Sequence, residues 1–227
     1  MNRQTPQSPM SWEGESNSMA GDFWMEMHDS YVRHSRSHSS DVNVVFIGAS
    51  IVQYWCQEGR QMWDDYYRRK GAVNYGIAGD TIQNVLWRVE HRVLEGLHPK
   101  VLVLQCVEHR VLEGLHPKVL VLQCGANNME PFGPPSDEDI ARGIGQLIAQ
   151  IRTQLPETKI ISIGLFPFNH HMFTKRAKRV NELLATNADE LNVGKQKPEL
   201  FADGLHLSSK GYNVWHQCMR PIIEKLL

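Results

Sequence analysis

Apolar positions along this chain of 227 residues follow two rhythms. Val42 to Ile47 (VNVVFI) is a β-branched run that stops at Gly48, the pattern of a strand buried on both faces. Ala72 to Tyr75 is a shorter run stopped by Gly76. Lys118 to Cys124 (KVLVLQC) and Lys159 to Ile163 repeat the pattern, the latter stopped by Gly164. Between these runs the spacing widens to the three-and-four step of helices. Trp24, Met27 and Tyr31 predict a short amphipathic helix ahead of the first strand. Gln61 to Lys70 reads as helical, and Thr81 to Glu95 as a helix started by Asp80 or Thr81 and ended near Gly96. Ser136 followed by Asp139 forms a capping box, opening a helix with Ile140, Ile144, Leu147, Ile148 and Ile151 on one face. A basic helix is expected from about Thr174 to Asp189, and a last one after Ser208, interrupted by Pro221. Strands alternating with helices predict an α/β domain with a parallel sheet over residues 21–227. Residues 1–20, rich in Ser, Pro, Gln and Asn, are expected to be disordered.

One feature breaks the alternation. Val89 to Cys106 reads VEHRVLEGLHPKVLVLQC, and Val107 to Cys124 repeats those eighteen residues letter for letter. Solenoid repeats drift, so a perfect copy that occurs only twice is not a solenoid. The strand before Gly125 must come from the second copy, which is covalently adjacent to it. Material around Leu97 to Glu113 is therefore expected to be extruded, leaving Val101 to Cys106 to dock on the surface, pair with a sheet edge or stay exposed.

Composition narrows the function. Lys plus Arg (24) nearly cancels Asp plus Glu (25), against the basic excess that nucleic-acid binding demands. Four cysteines without a CxxC pair are too few for a disulfide scaffold. The absence of a signal-peptide pattern, or of a long apolar span, predicts a cytoplasmic protein with no transmembrane segment.

In parallel α/β sheets chemistry gathers at the carboxyl ends of the strands. The strands here end in Gly48-Ala49-Ser50, in Gly76-Ile77-Ala78-Gly79-Asp80 and in Gly125-Ala126-Asn127-Asn128, and Asp203-Gly204-Leu205-His206 follows near the C-terminus. Singly each is weak: Ser50 reads as an N-cap, Gly79 as a turn, Asn127 as a loop residue. Together they supply a serine esterase. Ser50 is the candidate nucleophile at a helix N-terminus, His206 the general base and Asp203 the group that holds the imidazole tautomer. The Ser50 and Gly79 backbone N–H groups and the Asn127 amide are the candidate oxyanion donors.

These blocks resemble the SGNH, or GDSL-type, hydrolase family, whose motifs carry Ser, Gly, Asn and His in that order. Longer segments are similar to one branch of it, the catalytic α subunits of intracellular type Ib platelet-activating factor acetylhydrolases. They are GDFWMEMHDSYV, VVFIGASIVQ, NYGIAGDTIQNVLWRV, PKVLVLQCGANN, KIISIGLFPF, AKRVNELL and DGLHLSSKGY, and they span most of residues 21–227. The resemblance implies a flavodoxin-like three-layer α/β/α sandwich that needs no metal or other cofactor. It further implies hydrolysis of the sn-2 acetyl ester of an ether phospholipid, dimers of α-type subunits and a WD40-repeat regulatory partner. Two departures stand out. Position 49 is Ala where the family has the Asp of Gly-Asp-Ser, which removes an expected anchor of the nucleophile loop. Leu191 to Ala202 (LNVGKQKPELFA) has no β-branched run where the family has its fifth strand.

Other features carry blander readings. His170-His171 lacks a third metal ligand at suitable spacing. Lys175, Arg176, Lys178 and Arg179 read as a solvated helix face, with anionic lipid headgroups as an alternative ligand, and Cys56 reads as a core residue. The alternatives to an acetyl-specific lipid esterase are a broader acetyl esterase and a catalytically weak scaffold or WD40-binding subunit.

Overall fold

The computed structural model describes residues 21–38, 40–104, 115–123, 125–129, 135–166, 171–185, 197–203 and 205–227; the segment 1–20 lies outside them. The α/β pattern resolves into one parallel sheet of five strands, β1 (Val44–Gly48), β2 (Ala72–Gly76), β3 (Val101–Leu104), β4 (Val119–Leu122) and β5 (Lys159–Ser162), in the order β2-β1-β3-β4-β5. Because side chains alternate along a strand, each run feeds two cores. Val45, Ile47, Leu102, Leu104, Leu120 and Leu122 face one core, with Val85 and Val89 of α4 (Ile82–Glu90), Ile140 and Ile144 of α5 (Asp137–Gln154) and Val180 of α6 (His171–Ala185). Val44, Phe46, Val101, Val103, Val119 and Val121 face the other, built by α2 (Ser50–Gln53), the helical stretch beginning with α3 (Arg60–Met62) and α7 (Ser209–Leu226). On that side Phe46, Trp55, Trp63, Tyr67, Tyr212 and Trp215 form a continuous aromatic wall. The result is the three-layer α/β/α sandwich.

The run Val101–Leu104, expected outside the sheet, is not extruded. Val101–Leu104, from the first copy, is β3 itself, buried between β1 and the second copy's β4. The register runs Val44↔Val101 and Val101↔Val119, so each residue of β3 pairs with its own duplicate in β4. Eighteen residues is an even number, so valines keep one face and leucines the other, and the extra strand fits a sheet already buried on both sides. Residues 105–114 lie outside the described set. Of the stretch without a β-branched run, 191–196 are likewise outside it, while Pro198–Leu200 forms a 3-10 turn. Among the described residues the two copies supply β3 and β4, neighbouring strands of the sheet.

Several helix boundaries also differ from expectation. The first helix, α1 (Gly21–Ser37), is long rather than short. Helix α4 begins as expected at a Thr81 capping box with Asn84 but stops at Glu90, because Arg92 turns left-handed at φ 72° and sends Val93, Leu94 and Leu97 into the core. Helix α7 continues through Pro221, whose missing N–H would otherwise pair with the carbonyl of Gln217. Both residues face solvent, so water can take that carbonyl. Cys56 is exposed rather than in the core.

His28, in α1, is buried against Trp24, Trp87 and His91. Burial first, then the Arg88 charge, lowers its pKa from 6.5 to about 4, with Asp29 opposing. The unfolded chain binds that proton earlier, so stability should fall as the pH drops from 6.5 toward 4. Thermal melts across this range should show a smaller pH dependence for His28→Leu than for the parent chain.

Candidate active site

The carboxyl ends of the strands hold the candidate residues, as sheets of this kind require. Ser50 opens α2 directly after β1 and is 9% exposed. Its N–H belongs to the first helical turn, which has no intrahelical acceptor. Helix α2 lies so close to β2 that a Cβ on Gly76 would fall 2.3 Å from the Gln53 nitrogen, so only glycine fits there. The loop after β2 is drawn toward the same point: Ile77 N–H donates to the Gly48 carbonyl at 2.9 Å and Ala78 N–H to Gln53 Oε1 at 2.6 Å. Gly79 then adopts φ +86°, a conformation that favours glycine although the space beside it is open. Among the described residues no acceptor takes its N–H.

His206 arrives from the other end of the chain. Ser208 caps α7 by accepting from Gly211 N–H at 3.3 Å, and Tyr212 Oη donates to the Ile51 carbonyl at 2.7 Å, which fastens α7 to α2. The preceding turn is closed by the Phe201–Leu207 bridge and by Ala202 N–H on the His206 carbonyl at 2.8 Å. These ties place His206 Nε2 3.0 Å from Ser50 Oγ and Nδ1 2.6 Å from Asp203 Oδ2. Asp203 Oδ1 accepts from the Leu205 and His206 N–H groups at 2.9 and 2.8 Å. Partial burial pushes the Asp203 carboxyl up, but those N–H donors and the imidazole outweigh it and hold its pKa at about 2. The carboxylate thus holds the turn at neutral pH and loosens it only as the pH falls from the ordinary carboxylate range toward 2. The side chain of His206 is 16% exposed and that of Asp203 56%. A hydroxyl, imidazole and carboxylate in this row can pass the hydroxyl proton to Nε2 while the carboxylate fixes the proton on Nδ1.

Asn127 follows β4, beyond a left-handed Gly125 at φ 100°. Since β3 lies between β1 and β4, Asn127 starts two strands away from Ser50, yet its Nδ2 reaches the Asp80 carbonyl at 2.6 Å. That ties it to the residue after Gly79 and leaves the second amide hydrogen for another acceptor.

Sequence reasoning missed several neighbours. Tyr54 packs its ring 4.7 Å from that of His206, and Gln53 holds the loop before Gly79. Spacing from Ser50 is the only local signal for either. The basic face of α6 is solvated at Lys175, Lys178 and Arg179, the last two paired at the surface with Glu182 at 3.6 Å and Glu138 at 3.2 Å, whereas Arg176 is withdrawn into an ion pair with Asp137 at 2.6 Å. Among the described residues no group of three His, Cys, Asp or Glu side chains is placed to hold a metal ion.

A model of the GDSL-like lipase/acylhydrolase family matches residues 46–214. The chain belongs to that family. Relative to other members, this GDSL-type hydrolase is 32% identical to the platelet-activating factor acetylhydrolase IB subunit alpha2 of Homo sapiens, over 91% of this chain and 86% of that one. It is 29% identical to the alpha1 subunit of Bos taurus, over 90% and 84%. Its fold matches a GDSL-like lipase from Bacteroides thetaiotaomicron with TM-score 0.59 at 18% identity, over 88% of this chain and 98% of the other.

At position 49 this GDSL-family chain has Ala as the N-cap of α2, with no side-chain acceptor for the helix N–H groups. An Asp there would restore a cap, a change that contributes about 1 kcal/mol. Ala49→Asp should therefore raise both the melting temperature and the rate of ester hydrolysis, with Ala49→Asn as the uncharged control. A folded Ala49→Asp protein with no gain in rate would show that the loop carrying Ser50 does not need the cap.

Proposed function

We propose that this chain is a serine esterase that cleaves a short acyl ester, acetyl by preference, through an acyl-Ser50 intermediate. The observation that carries the reading is the unbroken Ser50–His206–Asp203 row, with donors of the Gly79 loop beside it. In the first half-reaction Ser50 Oγ attacks the acyl carbonyl and its proton passes to His206 Nε2. The oxyanion is met by the Ser50 and Gly79 N–H groups and the free hydrogen of Asn127 Nδ2. Collapse expels the alcohol, which takes the proton from His206. Water then attacks the acyl-enzyme, gives its proton to His206 and releases the acid, and Ser50 regains its hydrogen.

Similarity to platelet-activating factor acetylhydrolase subunits supports an acetyl group on platelet-activating-factor-like phospholipids as the substrate. Their designation as subunits supports assembly as a dimer of α-type chains, with a WD40-repeat protein as the partner the family resemblance implies. Among the described residues no helix is long and apolar enough to cross a membrane; the cytoplasmic site of action rests on the family resemblance. A broader acetyl esterase is the second reading, favoured by the added strand between the Ser50 and Asn127 loops. Turnover of p-nitrophenyl acetate against longer acyl esters separates the two, and a steep preference for acetyl supports the first. A fluorophosphonate probe should label the parent chain and leave Ser50→Ala unlabelled. Equal labelling, or equal turnover, would remove Ser50 from the mechanism, and a parent chain with neither would leave a scaffold.

A further inference from the structure

The loop that carries Gly79 is held by a buried network that the row of Ser50, His206 and Asp203 does not use. Asp80, the next residue, is 0% exposed, and so is Arg88 of α4. One carboxylate oxygen of Asp80 accepts from Arg88 Nη1 at 2.6 Å, and the other from Trp24 Nε1, on α1, at 2.7 Å. Arg88 Nη2 in turn donates to the Tyr75 carbonyl in β2. The backbone carbonyl of the same Asp80 accepts from Asn127 Nδ2. Asp80 is thus fixed at three points, by α1, by α4 and by Asn127, and its peptide neighbour is Gly79. A shift of this residue moves the Gly79 N–H and the Asn127 amide together.

Burial alone does not account for the Trp24 bond. Trp55 and Trp215 are buried as well, and among the described residues their Nε1–H groups have no hydrogen-bond partner. Trp24 instead spends its donor on a carboxylate 56 positions away in sequence. A charge-assisted bond of this kind is stronger than a neutral one and is directional. The ring meanwhile packs on Trp87 with centroids 5.2 Å apart and on His28 at 6.1 Å, contacts that a Phe ring can largely keep.

We infer that Trp24 is a positioning residue for the ester hydrolysis proposed above, acting through Asp80 to set the Gly79 and Asn127 donors where the oxyanion forms. The inference rests on that reading of the site. It assigns the helix that precedes the sheet a part in the chemistry, although α1 contributes no group to the reacting atoms.

The test is Trp24→Phe in the full chain, assayed on p-nitrophenyl acetate well below its melting temperature. The expected result is a fall in kcat of about ten-fold with KM within about two-fold, since donors aimed at the oxyanion act on the transition state and not on ground-state binding. The rate of fluorophosphonate labelling of Ser50 should fall in parallel. A double-mutant cycle with Asn127→Ala supplies the readout that a merely structural role would not move. If Trp24 acts through the shared loop, its effect shrinks in the Asn127→Ala background instead of multiplying. An unchanged kcat in folded Trp24→Phe, or fully multiplicative effects, would overturn the inference. Asp80→Asn, which keeps the shape but weakens both bonds, should reproduce the kcat loss if it folds, and Trp24→Phe decides the matter if it does not. Retained turnover in Ser50→Ala would instead defeat the underlying reading of the site, so the two failures are distinguishable.

Discussion

Replacing Asp203 with Asn is expected to lower kcat about 10⁴-fold in a chain that still folds. The two Asp203 oxygens have separate duties. Oδ1 accepts from the Leu205 and His206 N–H groups, and an Asn oxygen keeps both bonds, so the turn survives. Oδ2 faces His206 Nδ1 at 2.6 Å, and there an Asn presents N–H where the carboxylate accepted. The imidazole must then carry its proton on Nε2, pointing at Ser50 Oγ, and can no longer take the hydroxyl proton. Turnover should collapse while the circular dichroism spectrum and melting temperature stay close to the parent. His206→Ala should be as damaging to turnover and should also suppress fluorophosphonate labelling of Ser50. Because Asp203 stays ionised down to about pH 2, titration of this carboxylate does not set the acid limb of the parent's pH profile. An Asp203→Asn enzyme with more than about a tenth of parental kcat would mean that the row seen at Ser50 is not the proton path.

The strands were legible wherever a β-branched run met a glycine, as at Gly48 and Gly76, because both the buried face and the stop are local properties. The start of α5 was legible for the same reason: Ser136 and Asp139 cap each other across three residues. The candidate residues could be chosen because each sits just past a strand, or beside α7. Their mutual distances could not, since the 3.0 Å approach of His206 to Ser50 joins positions 156 apart and depends on α7 docking through Tyr212 on Ile51. The Trp24–Asp80–Arg88 network left no mark in the pattern either: it pairs a helix face with a loop, and Trp24 reads simply as an apolar position. The end of α4 was misplaced because apolar periodicity runs on through Val93 and Leu97, whereas the backbone reverses at Arg92. Pro221 reads as an interruption because a proline marks the lost hydrogen bond but not which way Gln217 faces. The fate of the repeat went wrong for a different reason. Eighteen is even, so the repeat keeps its strand phase, and that same property permits a second copy to enter the sheet.

That last point yields the sharpest structural prediction, since Val103 and Val121 occupy equivalent places in the two copies. Both are buried, at 2% and 0% exposure, and they are paired with each other in β3 and β4. Their side chains face the hydrophobic core that holds Trp55, Tyr212 and Trp215, whose indole and phenol groups carry no positive charge to balance a carboxylate. A charge there must be desolvated unpaired or drag water into the sandwich, a cost of about 4 kcal/mol or more, comparable to the whole stability of many domains. Val103→Asp and Val121→Asp should therefore be about equally destructive, each giving insoluble protein or a melting transition lowered by tens of degrees. Val103→Thr and Val121→Thr, which add a hydroxyl without a charge, should lose less and still lose alike. An extruded first copy predicts the opposite asymmetry. Val103→Asp would then be silent, or improve solubility by breaking an exposed apolar run, and only Val121→Asp would unfold the chain. Measuring the four variants side by side separates a five-stranded sheet that has absorbed its own duplicate from a four-stranded one that carries it outside.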